Sequence, residues 1–235
     1  MRILGIDPAW AIDKNPSGIA LVEGDSSLGW KCVVLESLCP SDINADYFLC
    51  QLLDRFEKVD CLVLDIPLSQ QPTSGRRKAD KDISQCFGSQ HCSTHSPSEY
   101  VYNIGLNLLN QAKERGYVLN KSIIETYPHP AILKLLKLQY RLQYKVKKTA
   151  MYWPKDSIEK RLNKVKCKMK NLKDAIQNTI KLPTDFVFDN ISSFNKLKPF
   201  EDMLDALVCA WVGIEFISNN AIPYGDENGK IWVPK

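Results

Sequence analysis

Five carboxylates in this 235-residue chain stand where acids do chemistry. Asp7 closes the apolar run Ile3-Leu4-Gly5-Ile6, Asp65 closes Cys61-Leu62-Val63-Leu64, and Glu125 follows Ile123-Ile124; each has a proline within three residues after it. In an open α/β sheet the carboxyl ends of buried strands are where ligands bind. Asp202 and Asp205 are three apart, so both project from one face of a helix whose following residues, Ala206 to Val212, are apolar all round. Gathered in a partly buried cleft, such acids repel one another and lose hydration unless a cation neutralises them. Hard divalent ions that prefer oxygen, Mg²⁺ or Mn²⁺, suit that task. Taken singly, each acid also has a plainer reading. Asp202 complements the positive end of its own helix, and Asp65 or Glu125 caps a neighbouring helix.

The elements that must position these acids follow from hydrophobic patterning. Residues 2–8, 17–23 and 31–37 read as three short strands separated by Asn15-Pro16, Gly24-Asp25 and Leu28-Gly29, a meander. A helix starting near Ser41-Asp42 puts Phe48, Leu49, Leu52, Leu53 and Phe56 on one face. The continuous apolar run at 61–67 reads as a strand covered on both sides. Residues 69–97 are polar and read as a long functional loop. Residues 100–116 form a helix ending at Gly116, and 122–128 form a further strand. A basic helical insert at about 134–183 follows, broken by Pro154 and Pro183. A last helix spans 200–217, with Pro199 in its first turn. The expected fold is α/β, one domain over 1–235 with a central mixed five-stranded sheet flanked by helices.

Charge is concentrated. Residues 134–173 carry +12 and the remainder −8, within an overall +4. An acidic body with one basic insert suits a partner bearing dense negative charge, such as a nucleic-acid backbone; the plainer reading is a solvated helical surface. In the polar loop, Arg76 and Arg77 with Asp80 offer a guanidinium fork able to clamp a phosphate. The eight cysteines lack C-x-x-C spacing and read as reduced thiols. The longest apolar stretch, 206–214, is too short to span a bilayer. The opening residues reach Asp7 and Pro8 before a signal-peptide core could form, so a cytoplasmic location is the expectation.

These motifs carry a resemblance. Gly5-Ile6-Asp7-Pro8, the meander, Leu64-Asp65-Ile66-Pro67-Leu68 and Asp202-x-x-Asp205-Ala206 resemble the ribonuclease H-like superfamily, in particular its Holliday-junction-resolvase-like branch. More closely, the chain resembles the DUF429 family of predicted ribonuclease H-like nucleases. The marks are Arg77-x-x-Asp80, Glu125-Thr126-Tyr127-Pro128-His129-Pro130, Tyr144-Lys145, Asp205-Ala206-Leu207 and the closing Gly225-Asp226 … Gly229-x-Ile231-x-Val233-Pro234. The resemblance implies a metal-dependent nuclease that hydrolyses phosphodiester bonds with two Mg²⁺ or Mn²⁺ ions. Asp7, Asp65 and one of Asp202 or Asp205 would be the ligands, and Glu125 a ligand, base or supporting group. It also implies phosphate contacts from Lys145, Lys147 and Lys148, a nucleic-acid partner, and a homodimer if the substrate is symmetric. The alternative on the same fold is a non-catalytic nucleic-acid or nucleotide binding module. Sugar kinases and actin-like ATPases share the fold, but no G-x-G cluster of their kind occurs among the 11 glycines.

Three features are weighed down. Cys86, His91, Cys92 and His95 lack the spacing of a standard zinc module. His129, between two prolines, is a proton shuttle or a helix cap. Tyr140, Tyr144, Tyr152 and Trp153 stack on unpaired bases or, as favoured here, pack the insert onto the body.

Overall fold

The computed structural model describes residues 1–9, 12, 14–71 and 75–235. Residues 72–74 of the expected polar loop thus lie outside the described residues. The chain begins with the expected meander: β1 (Arg2–Asp7), β2 (Ser17–Asp25) and β3 (Gly29–Leu38), antiparallel throughout. Helix α1 (Phe48–Arg55) buries Phe48, Leu49, Leu52 and Leu53 as its periodicity requires, and β4 (Cys61–Leu64) then pairs parallel with β1. After α2 (Lys78–Phe87) and α3 (Glu99–Glu114), β5 (Ile123–Thr126) adds in parallel beside β4. The insert contains α4 (Pro128–Leu136), α5 (Thr149–Tyr152) and α6 (Ile158–Gln177), then the two-residue β6 (Ile180–Lys181). The long α7 (Phe194–Ile217) leads to a hairpin of β7 (Ala221–Asp226) and β8 (Gly229–Pro234).

The α/β mixed sheet is therefore present, but it has eight strands rather than five, in the order β6-β3-β2-β1-β4-β5-β8-β7. The additions are at the edges. Pro223 sits in β7, the terminal strand, where a missing ladder donor is tolerated. Two other expectations are corrected. The segment 69–97 is not all loop, because Ala79, Ile83 and Phe87 form a single apolar stripe that α2 buries against Ile231 and Val233 of β8. The last helix starts at Phe194, so Pro199 lies inside it, and the Ser193 side chain accepts a hydrogen bond from the Lys196 amide at its N-terminus.

Alternation in the central strands sorts the two faces. Ile3, Val63 and Ile124 join the core built with α4, α6 and α7, whereas Leu4, Ile6, Leu62, Leu64 and Ile123 join the one built with α1 and α3. On the first face α7 lies directly on the backbone of β1 and β2. A Cβ at Gly5 would stand 2.2 Å from the Ala206 carbonyl oxygen, and one at Gly18 would stand 2.0 Å from that of Asp202. Gly18 is also the register partner of Asp7. These two glycines thus set how closely the acid-bearing turn of α7 approaches the end of β1. Gly5→Ala is expected to destabilise the protein by ~1–3 kcal/mol through overpacking. In a chain of this size that is a fall in melting temperature of about 2–4 °C per kcal/mol. An unchanged melting curve would show that the helix yields freely.

Candidate active site

Asp7 and Asp65 come together because β1 and β4 are parallel and in register. Ile6 pairs with Leu64, and the Asp65 amide donates to the Ile6 carbonyl at 3.0 Å. Continuing the alternation of Ile3 and Gly5, and of Cys61 and Val63, both acids face α7. Helix α7 brings Glu201, Asp202 and Asp205 to the same end of the sheet, all three buried. Its own Lys198 pairs with Asp202 and, at 3.2 Å, with Glu201. From the insert, Lys145 reaches in to pair with Asp205 and, at 3.5 Å, with Glu201. The fully buried Tyr144 donates its hydroxyl to the other Asp205 oxygen.

The consequence is a strongly perturbed set of acids. Burial, then repulsion from Asp205, Asp65 and Asp202, holds the Asp7 carboxyl well above the usual range, with Lys145 the opposing charge. Burial pushes Asp65 up to about 8 despite Lys145, with Asp205 and Glu125 adding to the rise. Burial also raises Asp205, against Lys145 and Tyr144, and carries Asp202 up to about 6 against Lys198. Five carboxylates (Asp7, Asp65, Glu201, Asp202, Asp205) thus meet two lysines (Lys145, Lys198), an excess of three negative charges when all are ionised.

The four expected metal ligands are not equivalent. Among the described residues no three His, Cys, Asp or Glu side chains stand placed to hold one ion together. The expectation of a single gathered set is corrected accordingly: Asp202 is turned to Lys198, and both Asp205 oxygens are taken by Tyr144 and Lys145. Asp7 and Asp65 differ, for neither carboxylate has a hydrogen-bond or ion-pair partner among the described residues. Two half-buried carboxylates at the ends of paired strands, with no partner among the described residues, are a donor set that fits a hard divalent cation.

Glu125 departs from the expected convergence. Its Cα is level with Leu64 rather than Asp65, so it points to the opposite face of the sheet. There it receives the Arg77 guanidinium on both oxygens at 2.7 Å and the Leu68 amide at 2.7 Å. Arg77 also grips Asp80 through Nε at 2.9 Å and Nη2 at 3.0 Å, and all three residues are buried. The expected phosphate clamp at Arg77 is therefore corrected: its donors are consumed inside the protein. Arg76 is exposed, with one nitrogen tied to the Asp80 and Thr94 carbonyls and to Ser84.

Of the expected phosphate-binding lysines, Lys145 is the one drawn into the acids, while Lys147 and Lys148 are exposed. Part of the basic charge on α6 has local work as well. Lys164 pairs with Asp156 at 2.6 Å, Lys166 donates to the Asp189 carbonyl at 2.8 Å and Lys173 donates to that of Phe186 at 2.6 Å. His129 is buried and held neutral by desolvation and by Arg141, Lys145 and Lys148. Arg141, which can only donate, contacts its Nε2, so the proton sits on Nδ1. The Cys86, His91, Cys92 and His95 side chains do not share an environment: Cys92 is buried and the other three are exposed. Sequence reasoning did not single out Glu201, Lys198 or Arg141; an i, i+3, i+4 spacing of Lys198 to Glu201 and Asp202 was the available signal for the first two.

The chain belongs to the DUF429 family, described as proteins of unknown function, whose model matches residues 5–228. Among solved structures it is similar to Thermus thermophilus RuvC, with 13% identity, a TM-score of 0.42, and 93% of this chain and 97% of that one covered. The same protein in complex with Holliday junction substrate gives 13% identity, a TM-score of 0.42 and coverages of 93% and 96%. The yeast mitochondrial Holliday junction resolvase Ydc2 gives 12% identity, a TM-score of 0.42 and coverages of 92% and 78%. No curated protein matches the chain. No helix among the described residues is long and apolar enough to cross a membrane.

Proposed function

We propose that the protein is a metal-dependent nuclease hydrolysing phosphodiester bonds of nucleic acid. The observation that carries this reading is the pair Asp7 and Asp65, half-buried side by side with no partner among the described residues, in a cluster with an excess of negative charge. These two residues would hold Mg²⁺ or Mn²⁺. When bound, such ions supply an activated water and stabilise the leaving oxygen of an in-line displacement. Asp205, whose oxygens are held by Tyr144 and Lys145, would have to give up one of those contacts to join them, and Asp202 is paired with Lys198. Lys145 holds positive charge at the cluster, its ammonium kept protonated by Asp205, Tyr144, Glu201 and Asp7 against the cost of burial. It can orient a substrate phosphate beside the acids. Lys147, Lys148 and the free lysines of α6 extend the positive surface along which a nucleic-acid backbone would run.

Calorimetric titration with Mn²⁺, beside a cleavage assay on labelled single-stranded, duplex and branched DNA and RNA, tests the reading. The expected result is metal binding, and cutting that EDTA abolishes. Absence of metal binding even with nucleic acid present, together with no cleavage, would replace the enzyme by a non-catalytic binding module.

A further inference from the structure

A cavity of about 610 Å³ has walls that include His91, Tyr140, Arg141, Lys148, Met151 and Tyr152. Its volume falls within the range of small-ligand sites. None of the described residues lining it is acidic, while two are cationic. Polar capacity remains there: the buried Arg141 Nε has no hydrogen-bond partner, the Tyr152 hydroxyl beside the Lys145 amide has no acceptor, and the exposed Lys148 ammonium makes no ion pair among the described residues. A buried donor without an acceptor costs free energy that a ligand oxygen would return. The remaining wall is aromatic and apolar, with the His91 and Tyr140 rings 5.5 Å apart and tilted by 34°. Tyr140 and Met151 are largely exposed. Arg141 connects this cavity to the catalytic cluster, since its charge acts on Asp65 as well as on Lys148 and His129.

Resting on the nuclease reading, we propose that this cavity receives one unstacked nucleotide of the substrate next to the bond to be cut. Its phosphate meets Arg141, Lys148 and the Tyr152 hydroxyl, and its base lies on Tyr140 and His91. A site of this kind selects nucleic acid whose strand can open. Bases are available to aromatic side chains only when unstacked, so single strands, ends and branch points are favoured over continuous duplex. Partial desolvation, then the charges of Arg141 and Lys145, lowers the Lys148 pKa, and an incoming phosphate relieves that crowding.

The test is binding without chemistry. Fluorescence anisotropy of labelled oligonucleotides in EDTA is compared for the wild type, Tyr140→Ala and Lys148→Ala, two exposed positions whose truncation spares the core. Probes are a single-stranded oligonucleotide, the same strand with abasic positions, and a blunt duplex. Tyr140→Ala is expected to weaken single-strand binding on the order of ten-fold, with much less effect on the abasic strand. Lys148→Ala is expected to lower the slope of log affinity against log salt by about 0.7 on every single strand. A wild type that binds single strand in the same way as both variants, or binds duplex as tightly as single strand, overturns the pocket and leaves the nuclease reading standing. A wild type that binds none of the probes overturns both.

Discussion

Asp7→Asn is expected to abolish metal-dependent cleavage and, in the absence of metal, to make the protein more stable at pH 8. The two effects share one cause. Asp7 is desolvated and faces Asp205, Asp65 and Asp202, with Lys145 the opposing charge that favours its ionised form. Asparagine keeps the shape and removes the charge. The sign of the pH dependence follows from the upward shifts. Below about pH 4 the carboxyls are protonated in both folded and unfolded chains and contribute no difference. As the pH rises from there, the unfolded chain releases protons that the folded one retains, so folding stability falls until the raised folded-state values are passed, which for Asp65 is about 8. The advantage of Asp7→Asn is therefore small near pH 4.5 and largest near pH 8. On the order of 1–3 kcal/mol is expected for a desolvated, unpaired group of this kind, or a rise in melting temperature of about 5 °C. Mn²⁺ should raise the melting temperature of the wild type at pH 8 and leave that of the variant unmoved. Thermal melts at both pH values, with and without Mn²⁺, read all of this. A metal-free variant no more stable than wild type at pH 8 would mean that the Asp7 carboxylate is satisfied in place and needs no cation.

The parts of this site legible in the sequence are those fixed by local pattern. Asp7 and Asp65 close apolar runs, and a run that long and that apolar must be a covered strand, so both acids fall at one sheet edge. Glu125 closes a run of the same look, yet faces the other way. Its side is set by pairing of Leu64 with Glu125, and a register difference of one residue reverses a side chain while leaving no mark on either sequence segment. The helix α2 was hidden for another reason: its three buried apolar residues are interleaved with Lys78, Asp80, Lys81 and Asp82, so composition reads as loop where the helical period reads as a face. Lys145 could not be told from its solvated neighbours Lys147 and Lys148, because what distinguishes it is an acid 60 positions away. The last strand, β8, carries alternation at Ile231 and Val233, but the place of the β7–β8 hairpin in the sheet depends on docking beside β5, which no local signal encodes.

Arg77→Met is expected to cost about 3–5 kcal/mol of stability, the largest loss from any single change argued for this protein. The residue is buried between Glu125 and Asp80, and its removal would leave two carboxylates in the interior with no cation. Glu125 shows how narrow the balance is: burial already lifts its carboxyl more than Arg77 and the Leu68 amide lower it. The damage would also travel. Arg77 Nη1 and Glu125 both hold Leu68, three residues beyond Asp65, so the triad fastens the segment leaving β4 to β5 and α2. Loss of stability should therefore come with loss of metal affinity at Asp65. Glu125→Gln should cost less, because the guanidinium keeps Asp80 and an amide oxygen. Restoring charge balance with Glu125→Gln in the Arg77→Met background should recover part of the loss, the non-additivity that marks a shared interaction. Urea unfolding of the three variants measures this cycle. If Arg77→Met melts like the wild type and instead weakens nucleic-acid binding alone, the guanidinium is free to meet substrate and the buried triad is not what holds this loop.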